Sequence, residues 1–327
     1  MSTGHESVLG TGRGPRSAAP VLATQPPAPV ARQARSTARA LLAACRPRQW
    51  VKSLLVLAAP GAAGVLGHPG ALARTAAAFG LFVAASSGTY LLNDTLDAEA
   101  DRRHPVKRQR PIAAGELAPT TAVATAVVLL VAALALAPVV GGWALSAVVT
   151  AYVALTLAYS LRLKQIPFVE LACLSLAFVL RALGGAAAAW VPVSPWFLVV
   201  TSAGALLLAA GKRSAERHLL GDAGQGHRRS LAAYPPGLLR GVRLVSAVVA
   251  VAAYLLWALW RGTRAAGVVP VAFLGLSAVP FALAVAVLER HLARGDGGAP
   301  EELALQSHAL QALGLACLAF VAVGIYT

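Results

Sequence analysis

Four polar residues close an apolar run: Asn93, Asp94, Asp97 and Asp101, within YLLNDTLDAEADRRHPVKRQRPIAAGEL at residues 90–117. At about 100° per residue, the three aspartates fall within roughly 60° of one another on a helix, and Glu99 points away. Carboxylates on one stripe repel unless a positive charge lies among them. Hard oxygen donors of this kind suit Mg²⁺, which commonly joins one or two carboxylates to substrate phosphates. The spacing therefore predicts a Mg²⁺–diphosphate site, with Asp94, Asp97 and Asp101 as both metal ligands and catalytic groups. The competing reading is a solvated helix end whose acids pair with Arg102, Arg103, Lys107 and Arg108. A stripe of three in a chain with only 13 acids favours the first.

Further polar residues gather at segment ends. Arg46, Gln49, Trp50 and Lys52 flank the first apolar segment, either as an interfacial belt or with Arg46 and Lys52 meeting a phosphate. Tyr159, Arg162 and Lys164 cap another segment. Lys212, Arg213, Glu216 and Arg217 follow in GKRSAERHLLGD, with Asp222 more distant. Arg181 lies deep in an apolar run, where an ionised group faces a partner or a cavity. Glu170 shares its helix face about three turns earlier. The two either line one polar stripe or pair separately with other helices. His104 suits the turn before Pro105 better than the role of a base.

The elements that must position these groups are apolar. The chain has 327 residues, 57% hydrophobic and 13% charged, about half the charge of a soluble domain. Nine candidate spans run roughly 52–67, 71–93, 118–138, 142–161, 167–188, 196–211, 238–260, 266–288 and 304–325. The expected class is an all-α polytopic membrane protein whose Gly- and Ala-rich helices pack closely. Nearly all Lys and Arg fall in the N-terminal segment and alternate loops; Arg74, Arg261 and Arg264 are the main exceptions. This puts the N-terminus and the aspartates on the cytoplasmic side and the C-terminus outside. The same distribution accounts for the net charge of +15 by topology and argues against nucleic acid as a partner. Residues 1–36 lack a hydrophobic core and read as a disordered basic tail preceding a transmembrane domain at 37–327. Cys45, Cys173 and Cys317 are too scattered for a disulfide framework or metal site.

The aspartate segment resembles the first aspartate-rich motif of the UbiA superfamily. RPRQWVKSLLVLAAP (46–60), YSLRLKQIPFVELACLSLAFVLRALGG (159–185), AGKRSAERH (210–218), RRSLAAY (228–234) and PEELAL (300–305) narrow the resemblance to its decaprenyl-phosphate phosphoribosyltransferase branch. It implies a nine-helix intramembrane transferase that uses Mg²⁺, phosphoribosyl pyrophosphate and a polyprenyl phosphate at the plasma membrane, for cell-wall arabinan precursors. It also implies substrate contacts from Arg46, Lys52, Asn93, Arg103, Lys107, Arg108, Arg110, Tyr159, Lys164, Glu170, Arg181, Lys212, Arg213 and Glu216. Prenyl-transferring branches usually carry a second aspartate motif where this chain has Lys212, Arg213 and Arg217. Carboxylates on one side and cations on the other suit a donor with a diphosphate at one end and a bare phosphate at the other. Glu170 stands where similar sequences have Asp, and Ser307–His308 where they tend to have Asp-Arg. A UbiA-type prenyltransferase and a transporter with Arg181 and Glu170 along its pathway are the alternatives; a homo-oligomer is left open.

Overall fold

Runs of Ala, Leu and Val become long helices because, in lipid, each segment must satisfy its own backbone donors and acceptors. A computed structural model describes residues 36–220, 234–235, 237–265, 267–298 and 300–326, and among these there is no strand. The α-helices are α1 (Thr37–Ala44), α2 (Ala58–Ala63), α3 (Pro69–Leu96), α4 (Ala98–Arg103), α5 (Pro119–Leu161), α6 (Val169–Ala189), α7 (Pro195–Leu220), α8 (Leu238–Gly262), α9 (Val268–Arg294), α10 (Pro300–Gln306) and α11 (His308–Tyr326). Seven helices among the described residues are long and apolar enough to cross a membrane: α3, α5, α6, α7, α8, α9 and α11. Apart from Ser36, the tail expected over residues 1–36 lies outside the described residues.

Helix α5 accounts for two expected spans. Its 43 residues would extend about 65 Å if straight, twice the thickness of the hydrocarbon core. Instead the helix breaks at Gly141 (φ −142°) and Gly142 (φ 65°), just beyond Pro138. The second of these torsions is open to glycine at little cost. The break reverses the chain. Gly88 of α3 abuts Leu130, whereas Phe82 of α3 meets the Tyr152 ring at 5.2 Å. Those partners are about 9 Å apart along α3 but would be about 33 Å apart along an unbroken α5.

The first expected span is not a single α-helix. Residues Pro47–Leu57 form an 11-residue 3-10 helix that continues into the six-residue α2. At about 2.0 Å per residue, then about 1.5 Å, this mixed segment covers about 31 Å. It therefore reaches that length with fewer residues than an α-helix needs. Among the described residues the structure therefore holds seven membrane-length helices, one of them broken into two legs, beside this mixed segment. Gly185 makes the close approach possible, since a Cβ there would sit 1.7 Å from the Val56 carbonyl oxygen.

Two clusters fix the frame. Val56, Phe82, Ala85, Leu130, Leu145, Val149 and Tyr152 join the mixed segment, α3 and both legs of α5. Nearer the aspartates, Ala40, Ala44, Leu91, Ala98, Ile112, Leu117 and Ala122 tie α1 and the segment after α4 to α3 and α5. Helix α7 runs on to Leu220, so residues 212–218 are helix where the sequence suggests a loop.

Candidate active site

The aspartates do not lie on one continuous helix. Helix α3 stops at Leu96, Asp97 has φ −91° and ψ 2°, and α4 begins at Ala98. The backbone bonds Asp97 N–Asn93 O (2.9 Å) and Asp101 N–Asp97 O (2.8 Å) carry helical register across the bend. Asp94 and Asp101 remain together, with side chains only 3% and 5% exposed. Asp97 turns to a different partner.

Buried carboxylates demand cations, and two of the three, Arg46 and Lys164, come from far along the chain. Arg110 Nη1 donates to Asp94 Oδ1 at 3.0 Å and to Asp101 Oδ2 at 2.6 Å. Arg46 Nη2 donates to the same Asp94 oxygen at 2.5 Å. Lys164 Nζ reaches both Asp97 oxygens at 2.8 Å and Asn93 Oδ1 at 3.4 Å. The neighbouring basic residues do not supply these partners. Arg103 is exposed and pairs with Glu99 at 2.6 Å, Arg102 donates to the Ala113 carbonyl, and Arg108 faces outward. Lys107 is half-buried in the turn between them. The helix-end pairing with Arg102, Arg103 and Arg108 is therefore not what forms.

Each cation has a local reason for its position. Arg46 occupies the left-handed region (φ 56°) at the corner after α1, a conformation costing about 1–2 kcal/mol. Trp50 Nε1 stabilises that corner through the Cys45 carbonyl (3.1 Å) and Ser87 Oγ (3.2 Å), and the Arg46 guanidinium lies 4.9 Å from the Tyr90 ring centre. Burial pushes the Cys45 thiol up, against an opposing bond from Ser87, so it stays protonated. Lys52 lies beyond this corner and donates to Gln49 Oε1 at 3.4 Å. Arg110 is carried by a turn in which His104 Nδ1 accepts from the Val106 and Lys107 amides, each at 3.2 Å. His104 is thus a turn-shaping residue, as its place before Pro105 implies.

A second buried network sits at the same end. Arg213 on α7 is fully buried, 3.0 Å from Glu170 Oε2 and 3.0 Å from the Tyr159 hydroxyl, and pairs with Glu216. The Tyr234 hydroxyl donates to Glu170 Oε1 and accepts from the Phe168 amide, both at 3.2 Å. Burial, reinforced by the Glu170 charge, pushes the Tyr234 phenol up despite the Phe168 amide. Tyr234 therefore remains a donor at neutral pH. Arg213 is neutralised by two carboxylates and is not an open phosphate clamp. The sequence suggests a loop cation because residues 212–218 turn polar, although α7 continues through them and carries Arg213 inward. Lys212, beside it, is half-buried.

Arg181 and Glu170 do not meet. Arg181 Nη2 donates to the Tyr152 hydroxyl at 2.6 Å and Nη1 to the Ala177 carbonyl at 3.0 Å, while Glu170 belongs to Arg213. Tyr152 and Tyr234 have no sequence signal as polar partners, since each reads as an ordinary aromatic residue. Asp222 and most of RRSLAAY lie outside the described residues.

Among the described residues, no three His, Cys, Asp or Glu side chains are gathered to hold a metal unaided. Two carboxylates do converge: Asp94 and Asp101 each place an oxygen within 3.0 Å of one Arg110 nitrogen. A pair of hard oxygen donors around a cation position fits Mg²⁺, which fills its remaining positions with water and phosphate oxygens.

Residues 54–296 match the UbiA prenyltransferase family model. The chain is 40% identical over 306 residues to a decaprenyl-phosphate phosphoribosyltransferase of Mycobacterium tuberculosis, covering 91% of this chain and 96% of that protein. It is 39% identical over 295 residues to the decaprenyl-phosphate phosphoribosyltransferase of Corynebacterium glutamicum, covering 89% and 88%. The fold is similar to a UbiA homolog from Archaeoglobus fulgidus bound to DMAPP and Mg²⁺, with TM-score 0.64 and 17% identity over 88% of this chain and 98% of that one. By matched span, identity and helical architecture, this integral membrane chain belongs to the UbiA prenyltransferase family.

Proposed function

We propose that the chain transfers the 5-phosphoribosyl group of phosphoribosyl pyrophosphate to a decaprenyl-like polyprenyl phosphate, releasing diphosphate, at the cytoplasmic face of the plasma membrane. The relatives named for this activity support the reaction. The observation that carries the site is the pairing of three aspartates with Arg46, Arg110 and Lys164 where α3 ends.

The chemistry follows from charge. Asp94 and Asp101, with Asp97 beside them, would hold Mg²⁺, which when bound offsets the charge of a diphosphate leaving group. Arg46, Arg110 and Lys164 are within one side chain of the same oxygens and can turn to the diphosphate as it departs, stabilising the charge that develops. The bond from ribose C1 to the diphosphate oxygen breaks with oxocarbenium character. An oxygen of the polyprenyl phosphate then bonds to C1. That phosphate is mostly ionised at neutral pH, so the step needs no general base. The engagement of His104 with backbone amides is consistent with this. The buried Arg213–Glu170 pair, with Glu216 at its edge and Tyr159 of α5, would hold the ends of α5, α6 and α7 in register beneath the donor.

The decisive experiment uses purified protein with Mg²⁺, labelled phosphoribosyl pyrophosphate and a panel of polyprenyl phosphates, followed by lipid extraction. Label entering the lipid phase, and failing to do so with Asp94→Ala, supports the reading. Transfer from a prenyl diphosphate to another acceptor would replace it with prenyl transfer.

A further inference from the structure

A groove of about 860 Å³ runs between α8 and α9 and reaches the end of α7. Its two ends differ in chemistry. Leu244, Val248, Val251, Leu255, Ala282 and Val285 make the walls, and Leu244 to Leu255 alone covers about 16 Å of helix. That is half the hydrocarbon core, measured inward from the polar end. The mouth carries Arg240, Arg243, Arg290, His218 and a single carboxylate, Glu289.

Those charges are not equivalent. Arg243 is buried and already held, by Glu289 at 3.1 Å and Ser214 Oγ at 2.6 Å. Arg240 and Arg290 are exposed, on facing helices, and neither forms an ion pair with a carboxylate among the described residues. Counted over the described residues that line it, the mouth therefore keeps an excess of two positive charges above an apolar channel. A peptide helix would satisfy the walls but not this end. Zwitterionic lipid would bring no net charge to it. Basic pockets between transmembrane helices at the headgroup level select anionic headgroups.

We propose that this groove is a binding site for an anionic glycerophospholipid, with its phosphate between Arg240 and Arg290 and one acyl chain along Leu244–Leu255. The occupant is a resident lipid and not the polyprenyl phosphate acceptor. None of Asp94, Asp97, Asp101, Lys164 or Glu170 lines the groove, and α7 contributes only Ser214 and His218. A route to the candidate active site nevertheless exists. Ser214, which receives Arg243, directly follows Arg213, so lipid at the mouth bears on the network that secures α7. The lipid site itself stands independently of the proposed transfer reaction.

The test measures lipid retention with no sugar donor present. The full chain is delipidated, placed in nanodiscs of phosphatidylcholine with or without phosphatidylglycerol of matched acyl chains, and followed by native mass spectrometry and thermal unfolding. Phosphatidylglycerol should be retained several-fold over phosphatidylcholine and should raise Tm by several degrees. Arg240→Gln with Arg290→Gln should remove both effects, leaving Tm in phosphatidylcholine unchanged because both side chains are exposed. Val248→Trp, which fills the channel and keeps the charges, should also expel the lipid. Equal retention of the two lipids, or an unaltered preference in the double variant, overturns the proposal. So does displacement of the phospholipid by a polyprenyl phosphate, which would make the groove the acceptor's site.

Discussion

Lys164 Nζ lies 2.8 Å from each carboxylate oxygen of Asp97, across 67 residues of sequence. The pair joins the bend after α3 to the turn after α5, and it is part-exposed, with side chains 17% and 33% accessible. Its worth to folding is accordingly small, about 0–1 kcal/mol. Lys164→Ala should barely move Tm yet lower kcat/KM for phosphoribosyl transfer on the order of 10²-fold, the usual loss for one charge-stabilising donor. Thermal unfolding and steady-state kinetics on one preparation separate the two effects.

Arg110 should trade places with a divalent ion. Arg110→Gln leaves Asp94 and Asp101 without their shared donor, a loss of about 1.5–3 kcal/mol in chelator. Added Mg²⁺ should restore more Tm to Arg110→Gln than to the unaltered chain. If the variant and the parent gain equally from Mg²⁺, the guanidinium and the metal do not share those oxygens. In the unaltered chain, excess chelator should abolish transfer without unfolding the protein.

Arg213 should matter more to stability than any exposed cation. Arg213→Met strands Glu170 in the interior, and breaking a buried ion pair costs about 3–5 kcal/mol. Glu170→Asp keeps the charge but shortens its reach to both Arg213 and Tyr234, so the fall in Tm should be clearly smaller. Equal losses would mean that side-chain length, not charge, governs this network.

Gly185→Ala should disturb the site from a distance. Its new methyl would collide with the Val56 carbonyl, costing about 1–3 kcal/mol and pushing back the segment that begins at Arg46. Gly80→Ala is the control, since a Cβ there meets nothing within 4 Å. Expression and Tm should fall only for the first.

The aspartates were legible because helical spacing and proximity to an apolar run are local properties. Their cations were only partly so. Charge bias collects most basic residues at one end of the bundle without saying which acid each meets. Arg46, Arg110 and Lys164 became partners through the corner at Cys45, the turn at His104 and the reversal of α5, none of which has a helical period. Arg213 looked like a loop cation because the polarity of residues 212–218 matches that of a connector. Helical hydrogen bonding continued through them, and the inward face captured the side chain. The 3-10 form of the segment expected at 52–67 escaped for a related reason: hydropathy measures how greasy a stretch is, not how steeply it rises.

The reversal at Gly141–Gly142 also leaves one pole of the described helices with little connecting chain. Two residues turn α5 around, and the other connectors described at that pole, 64–68 and 190–194, are also brief. Antibodies, proteases or impermeant labels approaching from there would find little more than helix tips flush with the headgroups. The longer described connector, residues 104–118, belongs to the opposite pole and offers such probes more exposed chain.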